Sequence, residues 1–186
     1  MQSLCFRYVF FLKRYNIRKR YFSKPEKRVV VKKALLLVDV QNVYYTCRQA
    51  YKRNFNYNQF WQTLTYNVDI TNAFAYAIDR GDSKQREFQN ILRAIGFDVK
   101  LKPFIQRADG SAKGDWDVGI TVDALEHADN VDEVVLVSGD GDFDILVNAL
   151  KAKGKTVTVY GVPTLTAESI QKAASRYVPI DTALLL

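Results

Sequence analysis

The sequence predicts an α/β fold: a doubly wound, mainly parallel five-stranded sheet with helices on both faces. Short apolar runs of strand length alternate along the chain with stretches in which apolar residues recur at helical spacing. Such alternation favours parallel strands joined by right-handed helical crossovers. A chain of 186 residues can also bury a core of one domain without the help of disulfides.

Five strands are predicted from apolar or β-branched runs that end at charged residues, glycine or proline. The first run, ALLLV, ends at Asp39, and the third, DVKLKPF, contains Pro103 near its end. The fourth, EVVLV, leads directly into a Ser-Gly-Asp turn. In chain order the strands are residues 34–38, 70–78, 98–104, 133–137 and 155–160.

Five helices are predicted from apolar residues spaced three and four apart. The second has the clearest apolar face, and Gly96 is expected to end it. In chain order the helices are residues 41–52, residues 84–95 with Phe88, Ile91, Leu92 and Ile95 on one face, residues 116–128 with Val118, Val122 and Leu125 on one face, a helix marked by Phe143, Leu146, Val147 and Leu150, and a helix marked by Ile170, Ala173, Ala174 and Tyr177.

The positive charge is concentrated at the start of the chain. The net charge is +7 overall, but residues 1–33 hold eleven Lys or Arg and one acid, whereas residues 34–186 are net −3. We therefore expect a basic N-terminal extension over residues 1–33 and a globular domain over residues 34–186. Three interpretations of the extension stay open: an arm that grips phosphate backbones, an organelle transit peptide, or a mis-assigned start.

Composition argues against several classes of protein. The apolar run from Val9 to Leu12 is far shorter than the roughly 20 residues that span a bilayer, so no membrane segment is expected. Cys5 and Cys47 form no CxxC pattern and are interpreted as reduced thiols of a cytoplasmic protein. The single histidine, His127, argues against a His-rich zinc site. The oligomeric state is left open, with a homo-oligomer among the alternatives.

Aspartates stand at the ends of predicted elements in three places. In doubly wound folds, ligands bind beyond the carboxyl ends of strands where the strand order reverses. Neighbouring carboxylates raise one another's pKa unless a cation lies between them, and oxygen ligands without His or Cys favour Mg²⁺ or Mn²⁺. The aspartates are Asp39 after the first strand, Asp115 and Asp117 at the third helix, and Asp140, Asp142 and Asp144 after the fourth strand.

Each of these aspartates also has a simpler interpretation as a helix N-cap, because Asp is a favoured capping residue. For any one of them, capping explains the position at least as well as chemistry does. Capping does not require three acidic clusters to follow strand ends that meet at one edge of a sheet, so the whole set favours a functional site.

Four segments resemble the NYN family, also called LabA-like or DUF88, of the PIN-like nucleases. They are VDVQN (38–42), KGDWDVGITVDAL (113–125), VVLVSGDGDFDILV (134–147) and GKTVTVYG (154–161). Their order and spacing match the family over about residues 34–180, and nothing matches the N-terminal extension. The resemblance implies a PIN-like sheet with strand order 3-2-1-4-5 and a metal-dependent ribonuclease centre.

The matched motifs imply which side chains form that centre. The acids would bind Mg²⁺ or Mn²⁺ and carry the catalysis, and the asparagine would support the first acid. By residue, the acids are Asp39, Asp117, Asp140 and Asp142, with Asp144 less closely matched, and the residues expected to contact substrate are Asn42 and Lys113.

Other residues have two interpretations each. Asp123 lies about 120° around the helix from Asp117, so we expect it not to share the metal and either to be structural or to support a metal ligand indirectly. The aromatic residues between positions 44 and 66 could stack on bases, although core packing is favoured. The basic residues that could hold phosphates or be ordinary surface charge are Arg80, Lys84 and Arg86.

The expected function is an endoribonuclease that hydrolyses RNA at an aspartate cluster holding Mg²⁺ or Mn²⁺. One alternative is an RNA-binding or regulatory module with little or no turnover. Another is a different Mg²⁺-dependent phosphohydrolase, such as a HAD-like phosphatase. That class needs a second acid two residues after the first, whereas Gln41 follows Asp39 at that spacing.

Overall fold

The computed structural model describes residues 31–79, 81–103, 105–106, 112–113 and 115–186, with the backbone alone at residues 105–106 and 112–113. Strands and helices alternate through most of the chain. The strands are β1 (Lys32–Asp39), β2 (Val68–Asp79), β3 (Asp98–Pro103), β4 (Ile105–Gln106), β5 (Ala112–Lys113), β6 (Glu133–Val137), β7 (Thr156–Gly161) and β8 (Arg176–Pro179). The helices are α1 (Val40–Tyr51), α2 (Tyr57–Thr65), α3 (Ser83–Ile95), α4 (Asp117–His127), α5 (Asp144–Ala152) and α6 (Glu168–Ala173).

The main sheet has six strands in the order β3-β2-β1-β6-β7-β8, and every neighbouring pair is parallel. The α/β class and the predicted order 3-2-1-4-5 are therefore confirmed for the first five of these strands. Strand order reverses between β1 and β6, where Val38 pairs with Val137. The carboxyl ends of those two strands consequently border the crevice in which such folds bind ligands.

The sixth strand corrects the sequence prediction at the C-terminal end. The pattern through Tyr177 predicts a helix, but α6 ends at Ala173 and residues Arg176–Pro179 pair with β7. The Tyr177 hydroxyl donates a hydrogen bond to the Gly161 carbonyl at 2.9 Å. Without β8, the backbone groups along that edge of β7 would lack partners, and Pro179 would disrupt a helix interior.

Helices cover both faces of the sheet, as predicted, because each central strand is apolar on both sides. In β1, Leu36 and Val38 belong to one core cluster, and Leu35 and Leu37 belong to the other. Helices α1, α2 and α3 pack on the first face, and α4, α5 and α6 pack on the second. Continuous apolar runs are typical of parallel strands buried on both faces.

The buried face of α4 differs from the prediction. Ile120 and Ala124 are fully buried against the sheet, whereas Val118 is 72% exposed, and Val122 and Leu125 also face outward. The stripe of this helix that faces the sheet is therefore the one that carries Ile120 and Ala124, and not the one that carries the valines.

Two sequence expectations concern thiols and membrane helices. Cys47 is a buried free thiol whose pKa is raised to about 11 by desolvation, consistent with a reduced packing residue. Cys5 lies outside the described residues. In the described part of the chain, every helix is too short or too polar to cross a bilayer.

Candidate metal centre

Asp39 is the last residue of β1 and the N-cap of α1. Its Oδ1 accepts a hydrogen bond from the backbone N–H of Asn42 at 3.1 Å. The pKa of Asp39 is raised to about 6, chiefly by burial and also by the charges of Asp117 and Asp140, whereas the N–H groups of Asn42 and Gln41 oppose the shift. Asp39 is thus a cap, as the simpler interpretation holds, and also a member of an acidic group.

Asp140 lies three residues beyond β6, in the loop that opens towards α5. Its Oδ1 accepts a hydrogen bond from the N–H of Asp142 at 3.0 Å, which forms a 3-10 turn over Gly141–Phe143. The preceding Gly139 has no room for a side chain, because an added Cβ would lie 2.7 Å from the Leu165 carbonyl oxygen. Because residue 139 is glycine, the loop can pass close to the backbone of Leu165 and place Asp140 beyond the carboxyl end of β6.

Asp117 begins α4 and belongs to the same region. Burial raises the pKa of Asp117, and the charges of Asp140, Asp115 and Asp142 raise it further, whereas Lys102 lowers it. Trp116 fixes the start of this helix, because its Nε1–H donates to the Ala77 carbonyl at 2.9 Å. The helix start is thereby tied to the carboxyl-terminal half of β2.

The predicted acids meet at one pocket of about 230 Å³. Three acids of the predicted set form its wall, and each comes from a different segment of the chain. Burial and, to a smaller extent, repulsion between the acids raise the pKa values of Asp39 and Asp117, and a bound cation would relieve the repulsion. The residues that line the pocket include Asp39, Asn42, Asp115, Trp116, Asp117 and Asp140.

The remaining predicted residues lie farther from the pocket or outside the description. Asp142 is exposed beside the pocket and acts on Asp117 through its charge. Asp144 is half-buried as the first residue of α5 and is not part of the pocket wall. For Lys113 the structure describes only the backbone, in β5, so the position of its side chain lies outside the described residues.

Asn42 holds two sides of the pocket together. Its Oδ1 accepts a hydrogen bond from the backbone N–H of Gly139 at 2.9 Å, and its own N–H donates to Asp39. The end of β1 is thus linked to the loop after β6. The contact with Asp39 is made by the backbone of Asn42 and not by its side chain, so support of the first acid by this side chain and contact with substrate both stay predictions.

The donor set suits a hard divalent cation, because carboxylate and amide oxygens are the ligands that Mg²⁺ and Mn²⁺ prefer. Among the described residues, no three acids of this pocket have ligand atoms that all lie within 4.8 Å of one another. Mg²⁺ usually retains several waters, so acids that do not all contact the ion directly can hold it partly through water. The residues of the pocket therefore fit a divalent ion that is bridged to some of them by water.

A second acidic group lies elsewhere on α4. Ligand atoms of Asp123, Glu126 and His127 lie within 4.8 Å of one another. Both oxygens of Asp123 are already 2.7 Å from the Lys100 ammonium, and the Tyr76 hydroxyl donates to Asp123 at 2.8 Å. This group has a structural role that needs no cation, which agrees with the expectation for Asp123.

Of the predicted basic residues, Lys84 is exposed on α3, and Arg86 donates to the Gly81 carbonyl at 3.1 Å. Arg80 lies outside the described residues. Sequence reasoning missed Lys102, whose ammonium donates to the Asp115 carbonyl at 2.9 Å and lies 4.3 Å from the centre of a Trp116 ring. The alternation in KLKP could have indicated it, because Lys100 and Lys102 share one face of β3.

The chain is similar to known proteins over most of its length. The family model of the NYN domain matches residues 33–181. The chain is 27% identical over 157 residues to the low amplitude and bright protein LabA of Synechococcus elongatus, covering 78% of this chain and 82% of that protein. It is 58% identical to a protein of unknown function from Vibrio parahaemolyticus whose crystal structure aligns with a TM-score of 0.80, covering 84% of this chain and 97% of that chain.

Proposed function

This chain belongs to the NYN domain family, and from that membership and the acidic pocket we propose that it is a ribonuclease that hydrolyses RNA phosphodiester bonds with Mg²⁺ or Mn²⁺. The single observation that carries the proposal is the convergence of Asp39, Asp117 and Asp140 on one pocket at the strand-order reversal. A merely capping role would not require acids from three remote segments to share a pocket.

The proposed roles follow from the positions of the side chains. Asp39, Asp117 and Asp140 hold the divalent ion, and Asp142 adds negative charge at the exposed rim. When bound, such an ion supplies Lewis acidity at the phosphoryl group and lowers the pKa of water. Asn42 positions Asp39 relative to the loop that carries Asp140. For Lys113, contact with the substrate is proposed from its place in the matched motif alone.

A basic residue at the rim would balance the acids. The Lys102 ammonium lies against Trp116 and lowers the pKa of Asp117, so it is close enough to influence the pocket electrostatically. An RNA phosphate that approaches the pocket would meet this cation on the side of β3. We propose that Lys102 helps to orient the backbone of the substrate.

The proposal is tested by incubating the full-length protein with a mixed RNA pool in Mn²⁺, in Mg²⁺ and in EDTA. We expect cleavage with either metal and none in EDTA. Asp39→Asn and Asp140→Asn should each lower the cleavage rate at least about a hundredfold, because a metal centre contributes several kcal/mol to transition-state stabilisation. Binding of the same RNA is measured in parallel.

Asp129→Asn is the matched control, because Asp129 is exposed and lies in the turn that precedes β6, away from the carboxyl ends of the strands. This variant should cleave RNA at the wild-type rate. Full activity of Asp39→Asn, or activity that EDTA leaves unchanged, would contradict the proposal. RNA binding without cleavage under any metal condition would favour a binding module instead.

A further inference from the structure

A second, larger cleft opens beside the acidic pocket. It has a volume of about 600 Å³ and lies between α1, α3 and the segment before α2. Gln41 and Tyr45 line both the cleft and the acidic pocket. The two spaces are therefore neighbours, and a polymer whose phosphate lies in one can place its adjoining group in the other.

The walls of this cleft are largely aromatic and aliphatic. Tyr44 is 51% exposed on α1 and meets the Tyr45 ring edge-to-face, with the ring centres 5.3 Å apart. Phe88 and Ile91 form the opposite wall on α3, and buried Tyr57 also borders the space. The sequence favours core packing for this aromatic region, which holds for Tyr57 but not for Tyr44.

Gln89 is the most informative residue in the cleft. It is only 5% exposed, it lies on the inward face of α3, and it lines the cleft. Within the described ranges its side-chain amide hydrogen-bonds to no other group, although its polar atoms are not sealed from the cleft. The amide therefore opens onto the cleft, where the polar atoms of a ligand can take the place of water as its hydrogen-bond partners.

The chemistry of the cleft matches an unpaired nucleobase. Aromatic rings stack on the flat faces of bases, and the amide of glutamine can pair with a base edge through a donor and an acceptor at once. Lys84 stands at the wall of the cleft on an exposed turn of α3, where its ammonium can meet a phosphate. An apolar peptide would use the walls but would leave the Gln89 amide unpaired.

We propose that this cleft binds an unpaired base of the RNA next to the phosphate held at the acidic pocket, with the ring against Tyr44 and an edge on Gln89. This inference rests on the proposed function, because it assigns the substrate class to the same site. A base inside a duplex is stacked and paired, so the cleft selects single-stranded RNA.

The test measures binding, so that it does not depend on turnover. Full-length Asp39→Asn protein in Mg²⁺ is titrated with a short single-stranded RNA and with the same strand made abasic at internal positions. The two ligands share their phosphates, so phosphate contacts made by the basic N-terminal extension cancel in the comparison. We expect the base-containing strand to bind at least about tenfold more tightly, since stacking alone contributes this much.

Two added substitutions locate the effect. Gln89→Leu keeps the volume, removes the buried amide and should not lower the melting temperature, yet it should reduce the preference for the base-containing strand about tenfold. Tyr44→Ala, at an exposed position, should reduce the preference by a similar factor. Gln62→Leu, an exposed glutamine on α2 outside the cleft, should leave the preference unchanged.

The outcomes separate this inference from the ribonuclease proposal. Equal affinity for the base-containing and abasic strands, or a preference that survives both Gln89→Leu and Tyr44→Ala, would overturn the inference and leave the cleft to an apolar occupant. Those results would leave metal-dependent cleavage by the wild type intact. Conversely, a base preference lost in the variants, with no cleavage by the wild type, would support the cleft and reject the ribonuclease.

Discussion

The side-chain Oδ1 of Asn42 accepts a hydrogen bond from the backbone N–H of Gly139 at 2.9 Å, across 97 positions of sequence. The contact joins the first turn of α1 to the loop after β6. It lies between Asp39 and Asp140, which these two segments carry. The relative position of the two acids therefore depends on one amide and one peptide group.

Replacing Asn42 with alanine should weaken both the fold and the pocket. The change leaves the half-buried Gly139 N–H without its partner, which costs about 1–3 kcal/mol of unfolding free energy. Urea unfolding of Asn42→Ala measures the loss, and titration with Mn²⁺ should reveal weaker binding. Asn148→Ala, an exposed site on α5, should change stability by less than about 0.5 kcal/mol. Equal unfolding free energies for the two variants would show that the hydrogen bond between Asn42 and Gly139 does not stabilise the fold.

The raised pKa of Asp39 predicts a pH dependence of stability in EDTA. The folded state holds a proton on Asp39 up to pH about 6, whereas the unfolded state releases it near the ordinary value of 3.8. Stability from this group is thus fully present below pH 3.8 and is lost as pH rises through 6. The loss at pH 7 is about 3 kcal/mol, since each pKa unit corresponds to about 1.4 kcal/mol.

Asp39→Asn should remove this component, because asparagine keeps the N-cap acceptor and carries no charge. In EDTA at pH 7 the variant should be more stable than the wild type, and the difference should shrink as pH falls to 4. Chemical denaturation of both proteins at several pH values measures this. A variant less stable than the wild type at pH 7 would show that the charge of Asp39 does not destabilise the metal-free protein.

Gly139→Ala should disturb the loop that carries Asp140. The new Cβ would meet the Leu165 carbonyl oxygen at 2.7 Å, so the chain must shift, at a cost of about 1–3 kcal/mol. Gly154→Ala is the matched control, since its φ of +78° makes alanine strained while an added Cβ meets nothing within 4 Å. Both variants should lose stability, but only Gly139→Ala should bind Mn²⁺ more weakly. If both variants bound Mn²⁺ as tightly as the wild type, the loop that carries Asp140 would not be part of the metal centre.

Asp123→Asn separates structure from metal binding on α4. The change removes the charge that faces Lys100 and weakens the hydrogen bond from Tyr76, so unfolding free energy should fall by about 1–3 kcal/mol. Because these contacts lie outside the acidic pocket, affinity for Mn²⁺ should stay at the wild-type value. Calorimetric titration tests this, and a large loss of affinity would place the ion at Asp123, Glu126 and His127.

Much of the fold is predictable because parallel strands buried on both faces are continuous apolar runs. Strand β8 is not, since the spacing from Ile170 to Tyr177 suits a helix and only the open edge of β7 decides otherwise. The buried stripe of α4 also escapes prediction. Apolar residues lie on both sides of this helix, so hydrophobicity alone does not distinguish the exposed Val118 and Val122 from the buried Ile120 and Ala124.

The site is predictable to the same extent as the strand ends that carry it. Asp39 and Asp140 meet because β1 and β6 are parallel neighbours, and a sequence motif suffices to place Asp117. Lys102 and Gln89 could not be predicted as site residues from the sequence, because their significance depends on tertiary contacts. Lys102 matters through its contact with Trp116, and Gln89 matters because the fold places it on the wall of the cleft.

The most direct test of the central claim is an anomalous difference map from a crystal of the full-length protein grown with Mn²⁺. We predict a peak in the acidic pocket, coordinated directly or through water by Asp39, Asp117 and Asp140. A peak only at Asp123, Glu126 and His127, or an acidic pocket that stays empty at saturating Mn²⁺, would contradict the claim that these three acids form one metal centre.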